Sequence, residues 1–399
     1  MISNLQTQRE KIYSALCWTL SERIDQVDWE SFSEDDWSRF GNMAIAEGVA
    51  PLIHWTFKHE DTSRIEIPTT VKAQLMAAYY NTTAQNQVMF QELERILEAL
   101  DKAGIPVIVL KGAALATTVY PEIGLRPMGD LDLLVPRDHI EASFFAVEHL
   151  GYRNINERPT STLDWDFEHH LTIIKESEPK VHLELHWNLI AGDADWRSPN
   201  LDWFWANKEP IDYQSKKSEK NNHSDQSQVY SLSVQSNILY LCNHQFLQHG
   251  DSSRKLLWIY DLDILITQNL DQINWEELID KAIEFKWLQA LQFGVLRSRK
   301  LFATPIPDYL IKSHFETKPS GKGSERRWIN KTSTKAAHDL HRFSALNTNN
   351  DRIRFAISII FPKPDYMKWR YKFNPEWIWP AAYPYRWFRI LHELMNTLN

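Results

Sequence analysis

Cysteine is nearly absent from this chain. Among 399 residues there are two, Cys17 and Cys242, far apart in the sequence. That spacing excludes a disulfide framework, and the number excludes a cysteine-rich zinc site. Glycine is also scarce, at twelve residues, which points to a helix-rich protein with few glycine-dependent loops. No window approaches the ~20 apolar residues of a membrane span. The first twenty residues, MISNLQTQREKIYSALCWTL, lack a basic stretch followed by an apolar one. They read as an amphipathic helix rather than a signal peptide, so the expected compartment is the cytoplasm. A basic surplus is missing too: Lys and Arg total 44 against 52 Asp and Glu, a net charge of −8. This balance argues against long nucleic acid as a partner. A substrate rich in phosphates then needs local help from cations or metal ions.

What is present is a large apolar fraction, 43%, enough for a sizeable core and more than one domain. Residues 1–101 read as helical: Met89, Leu93, Ile96, Leu97 and Leu100 recur at steps of three and four. The texture changes at Lys102. Val107 to Leu110 is a short β-branched run, ended by Lys111-Gly112, and a helix starts at Ala113. Leu131 to Val135 is a second strand, stopped by Pro136. Ile140 to Leu150 is helical, with Gly151 at its end. Leu171 to Ile174 and Val181 to Trp187 complete a mixed α/β core over 102–212. A polar tract at 213–228 reads as a flexible loop, 229–315 as a helical region flanking a cleft, and 316–350 as loop-rich. The seventeen tryptophans concentrate toward the last segment, 351–399. The expected fold is α+β: a small mixed sheet between N-terminal and C-terminal helical regions.

The chemistry centres on Arg126–Asp138, RPMGDLDLLVPRD. Carboxylates avoid burial unless something positive compensates their lost hydration. In a strand, Asp130 and Asp132 share one face, about 7 Å apart along the backbone, while Leu131 and Leu133 take the other. Val181-His182-Leu183-Glu184-Leu185-His186-Trp187 alternates strictly, so His182, Glu184 and His186 share a face. If the two strands are neighbours, Glu184 meets the aspartate pair. Three clustered carboxylates call for a cation, and oxygen ligation suits Mg²⁺ or Mn²⁺. A zinc site of His182, Glu184 and His186 is the weaker reading, since catalytic histidine pairs usually sit on helices. Rim or supporting roles suit both histidines better. The chain carries its own control. Asp261-Leu262-Asp263 repeats the letters, but Leu256, Ile259, Leu262 and Ile266 have helical spacing. Two residues on a helix diverge by about 200°. Asp261 then reads as a buried structural acid.

The run Ile105 to Leu115, then Tyr120, then Leu125 to Val135 resembles a bacterial family of nucleotidyltransferases in the DNA polymerase β-like superfamily. Leu183 to Trp187, Leu239 to Leu265 and Ala46 to Leu52 fit the same pattern, so the resemblance covers roughly residues 36–270. It implies two Mg²⁺ (or Mn²⁺) ions on Asp130, Asp132 and Glu184, and a nucleoside triphosphate as donor. An acceptor hydroxyl, of a molecule the sequence does not identify, would attack the α-phosphorus and release pyrophosphate. Glu184 would also take the hydroxyl proton. The family's usual Gly-Ser turn is replaced here by Lys111-Gly112. Lys111 and Gly112 become the nucleotide-binding candidates, with Arg126 as a further phosphate contact. His186 and His244 are candidates for the acceptor pocket. Two alternatives stay open: a non-catalytic binding module on the same fold, and a metal-dependent phosphohydrolase using the same acids. The C-terminal Trp369-Arg370-Tyr371, Trp377 to Pro380 and Tyr385 to Leu391 suggest weak contact with a membrane surface, although such aromatics commonly pack on the protein body.

Overall fold

A computed structural model describes the chain except residues 1, 22, 155–168, 191–200, 212–228, 249–254, 316–342, 344–347, 363, 365–366, 368–370, 372–379 and 399. The polar tract expected at 213–228 and most of the loop-rich 316–350 therefore lie outside the described residues, as do Trp369 and Trp377 to Trp379.

Four helices lead in: α1 (Ile2–Leu20), α2 (Glu34–Ala46), α3 (Ala50–His59) and the long α4 (Thr69–Lys102). Ser33 and Asp36 form a capping box at the start of α2. Asp36 also accepts from Lys11 Nζ at 3.0 Å, which ties α2 to α1.

A seven-stranded mixed sheet follows, in the order β3-β4-β5-β2-β1-β7-β6. Its strands are β1 (Val107–Val109), β2 (Leu131–Leu134), β3 (Tyr152–Asn154), β4 (His170–Lys175), β5 (His182–His186), β6 (Lys208–Pro210) and β7 (Val229–Leu232). The α+β expectation holds. β3 and β6 fall where no strand was expected, and one assignment is overturned. Val229–Leu232, read as the start of a helical region, is a strand running parallel to β1, so the sheet draws on chain from both sides of the polar tract. Four apolar-leaning residues fit either period, and only the open edge of β1 decides between them.

Strand alternation sorts the sheet into two unlike faces. On one, Val107, Val109, Leu131, Leu133, Ile173, Leu183 and Leu185 pack against Met89, Leu93 and Ile96 of α4. Glu92 interrupts that apolar stripe of α4 and is 1% exposed. Lys175 Nζ of β4 meets it at 2.8 Å and neutralises it, which fixes α4 to the β4 side of the sheet.

On the other face Ile108, Leu110 and Leu134 join a larger apolar cluster. That cluster also takes in Leu16 of α1, Phe40 of α2 and Leu239, Leu262 and Val295 of the helices Val234–Asn243, Leu256–Gln268 and Leu288–Phe302. Helices before and after the sheet thus share one core. The rest of this face, on β2, β5 and β4, is polar, and the candidate site lies there.

Helices Asn349–Ile360 and Ala382–Leu398 pack on each other through side-chain-to-backbone bonds. Arg386 Nε donates to the Ile359 carbonyl at 2.9 Å and Trp387 Nε1 to that of Ile360 at 2.8 Å. Among the described residues no helix is long and apolar enough to cross a membrane.

Candidate active site

The site begins with one register. β2 and β5 are direct neighbours and run parallel, with Asp132 and Glu184 as Cα partners. Both side chains leave the sheet on the polar face, because their neighbours Leu131, Leu133, Leu183 and Leu185 are claimed by the core beneath α4. Asp132 is 2% exposed, so its charge requires partners on the spot.

Lys111 is the first partner. It opens α5 (Lys111–Thr118), directly after β1, and its Nζ lies 2.7 Å from Asp132 Oδ1 and 3.8 Å from Glu184 Oε2. Its backbone sits at φ 45, in the left-handed region. A residue with a Cβ costs about 1–2 kcal/mol there. Glycine would relieve that strain but would leave Asp132 without its ammonium. The structure gives the unusual φ to Lys111 and uses Gly112 for space: a Cβ at Gly112 would stand 2.6 Å from Arg126 Nη1 and 3.1 Å from Met128 Cγ.

His186, at 1% exposure, is the second partner. Its Nε2 is 3.0 Å from Asp132 Oδ1 and 3.3 Å from Glu184 Oε2. His170 of β4 is the Cα partner of His186, and its Nε2 is 3.6 Å from Glu184 Oε1. His169 follows, with its Nε2 2.9 Å from His170 Nδ1. Strand spacing gave His186 a rim or supporting role, with the acceptor pocket as its candidate place. It stands between the two acids, bonded to both. His169 and His170 were missed by sequence reasoning. Their signal is a histidine doublet at the start of a strand, but its meaning depends on the β4–β5 register. His182 is exposed and takes no part in the metal-competent groups found among the described residues.

The electrostatics follow from this packing. Burial opposes ionisation of Asp132, but Lys111 and His186 outweigh it and hold the carboxyl well below the ordinary range. Glu184 is likewise lowered, its burial overcome chiefly by the bond with His186. His186 is raised: burial alone would lower it, and the two carboxylates reverse that. Burial would also lower Lys111, yet Asp132 raises it. Asp130 is the exception. It precedes β2, half-buried, and burial together with the charge of Asp132 pushes its carboxyl up to about 6, despite Lys111.

Two further candidates lie outside the acid cluster. Arg126, expected at a phosphate, is 6% exposed and grips Asp261 with both arms of its fork, Nε to Oδ1 at 2.9 Å and Nη2 to Oδ2 at 2.8 Å. Tyr120 Oη adds a bond to Asp261 Oδ1 at 2.8 Å. Burial and a two-armed bond to Asp261 hold Arg126 in place, so Arg126 belongs to the wall that shapes Gly112. His244 is half-buried at the end of helix Val234–Asn243, its ring 6.0 Å from that of Tyr240. Tyr240 is fully buried and electrostatically coupled to Lys111, Asp132 and Glu184. His244 therefore stands one helical turn beyond Tyr240, outside the acid cluster itself.

One ligand atom each from Asp132, Glu184 and His186 lies within 4.8 Å of the others, so this face of an α+β sheet has the donors for a cation beside a helix N-terminus. The chain belongs to a family described as uncharacterised nucleotidyltransferases, whose family model matches residues 33–303. The match takes in every residue of the cluster. No curated protein and no solved structure matches the chain.

Proposed function

We propose that this chain is a divalent-cation-dependent nucleotidyltransferase of the polymerase β-like type. It moves a nucleoside monophosphate from a nucleoside triphosphate to an acceptor hydroxyl. One observation carries the reading: Asp132 and Glu184, Cα partners on adjacent parallel strands, face Lys111 at the N-terminus of α5. The donor set fits a hard cation. Oxygen ligands suit Mg²⁺ or Mn²⁺, and Asp130 is raised by burial first and then by the like charges of Asp132 and Glu184. Asp130, Asp132 and Glu184 would hold the ion, which supplies charge neutralisation at the reacting phosphate when bound.

The remaining roles fall to side chains of the cluster and its surroundings. Lys111 and the first amides of α5, from Gly112 on, receive the triphosphate oxygens. Glu184 takes the proton of the acceptor hydroxyl. The acceptor oxygen bonds to the α-phosphorus as the bond to the bridging oxygen breaks, and pyrophosphate leaves. His186 keeps Asp132 and Glu184 ionised and fixed, so catalysis is positioning plus charge stabilisation. His244 and Tyr240 border the acceptor side.

Transfer of label from α-³²P nucleotides, but not from γ-³²P nucleotides, to cell-extract acceptors is the test. Asp132→Asn should abolish it. Release of inorganic phosphate alone would favour a phosphohydrolase. A binding module has one observation in its favour, since Lys111 already neutralises Asp132 at 2.7 Å. Under that reading divalent cations leave the melting temperature unchanged.

Contact of the C-terminal segment with an anionic membrane surface is part of the proposal. Residues 349–399 hold eight Lys and Arg against four Asp and Glu, in a chain of net charge −8. Tyr385, Phe388, Leu391 and Met395 form an outward apolar row on the last helix.

A further inference from the structure

We infer a second cation site beside the acidic group, built of imidazoles: His169, His170 and His186 would take a borderline transition ion of the Zn²⁺ or Co²⁺ class. One ring nitrogen from each of the three lies within 4.8 Å of the others. The strands that carry the rings are fixed by backbone pairing. His170 and His186 are Cα partners across the antiparallel β4–β5 pair. The carbonyl of His169, just before β4, accepts the amide of Trp187 at 2.9 Å and that of Asn188 at 3.2 Å. Ring centroids stand 4.2 Å apart for His169 and His170, and 5.0 Å for His170 and His186.

A second observation concerns His186 itself. Its Nε2 is occupied by Asp132 and Glu184, while its Nδ1 is buried and has no hydrogen-bond partner. Leaving a buried polar atom unpaired costs about 1–3 kcal/mol, so native folds rarely keep one without a reason. Metal-bound imidazoles characteristically donate the other ring N–H to a carboxylate, which fixes the tautomer and orients the ring. Asp132 stands in that relation to His186, and Nδ1 is then the nitrogen left for an ion. Three nitrogen donors discriminate against Mg²⁺, which demands oxygen, and favour the zinc class. The two sites therefore select different ions. The imidazole site stands apart from the transfer reading. Only its consequence rests on that reading: an ion there would fix His186 and, through it, Asp132.

Co²⁺ titration of the chelator-stripped full chain, in excess Mg²⁺, tests this. The readouts are the visible d–d absorption of the bound cobalt and equilibrium dialysis. We expect one tightly held Co²⁺ per chain, displaced by Zn²⁺. His169→Ala and His170→Ala should each weaken it at least about tenfold, with His170→Gln as the variant least disruptive to the β4–β5 pair. Asp130→Asn should leave the cobalt spectrum unchanged. The inference is overturned if no nitrogen-type Co²⁺ spectrum appears. It is equally overturned if Asp130→Asn abolishes the spectrum while the folded histidine variants keep it. Absence of nucleotidyl transfer with cobalt binding intact would sink the transfer reading alone.

Discussion

Asp130→Asn should make the metal-free protein more stable at neutral pH. In the wild type, burial and the charge of Asp132 raise the Asp130 carboxyl from 3.8 to about 6. At 1.36 kcal/mol per pH unit, the difference corresponds to about 3 kcal/mol. The sign is that of a carboxyl whose folded pKa exceeds its unfolded one. The folded state then holds the proton more tightly, so the favourable contribution is complete below about pH 4. It is lost as pH rises through about 6, and ionised Asp130 costs about 3 kcal/mol above that. Asparagine removes the charge and the cost. With an unfolding entropy of ~2.1 cal/mol/K per residue over 399 residues, the gain is ~3–4 °C in Tm. Scanning fluorimetry in EDTA from about pH 4 to 7.5 should show the two melting curves converging at the acid end and separating at the neutral end. Mg²⁺ should then raise the wild-type Tm more than that of Asp130→Asn and close the gap, because the ion supplies the missing positive charge. A variant less stable than wild type in EDTA at neutral pH would refute the reasoning. So would a gap that persists unchanged at acid pH.

Other perturbations follow from the same contacts. Arg126→Ala leaves Asp261, 1% exposed, without its fork, and urea melts should show a loss of about 3–5 kcal/mol. Unchanged stability with a selective loss of nucleotide binding would restore Arg126 to the phosphate. Gly112→Ala should cost about 1–3 kcal/mol in the same assay, because the arginine tip it meets at 2.6 Å is held by Asp261 and cannot swing away freely. A wild-type melt would mean the fork gives way easily. Phe388→Glu with Leu391→Glu, at residues 68% and 59% exposed, should leave the melt unchanged and reduce co-flotation with anionic vesicles at least severalfold. Equal binding to anionic and neutral vesicles, or none, would remove the membrane proposal.

Much of the site's backbone was legible because β-strands have a strict period. Alternation alone separates Asp132 and Glu184 from the leucines beside them, and β2 and β5 prove to be neighbours with these residues paired. The repeat at Asp261-Leu262-Asp263 shows the same logic from the other side. On helix Leu256–Gln268 Asp261 turns to Arg126 and Tyr120, while Asp263 takes the Thr304 hydroxyl at 2.6 Å. Identical letters diverge there because a helix rotates them apart. What resisted reading were pairings across long stretches of chain. Arg126 and Asp261 are 135 residues apart, and no local period links them. The role of His170 depends on whether β4 slides by one residue against β5, since that slip would turn its ring to the opposite face.

Lys111 is the deepest case, because two local rules compete at one position. Backbone sterics call for glycine at φ 45, and the neighbouring Gly112 invites that placement. Charge calls for an ammonium beside a carboxylate that is 2% exposed. Strain there is worth about 1–2 kcal/mol, whereas breaking a buried pair by removing one partner costs about 3–5 kcal/mol. The larger energy prevails, and the chain accepts a strained lysine to keep Asp132 ionised at the mouth of α5. Any divalent ion that binds Asp132 must therefore share it with this ammonium or displace it. Cation binding to the acids should accordingly strengthen in Lys111→Gln relative to wild type, even as the triphosphate loses a positive contact.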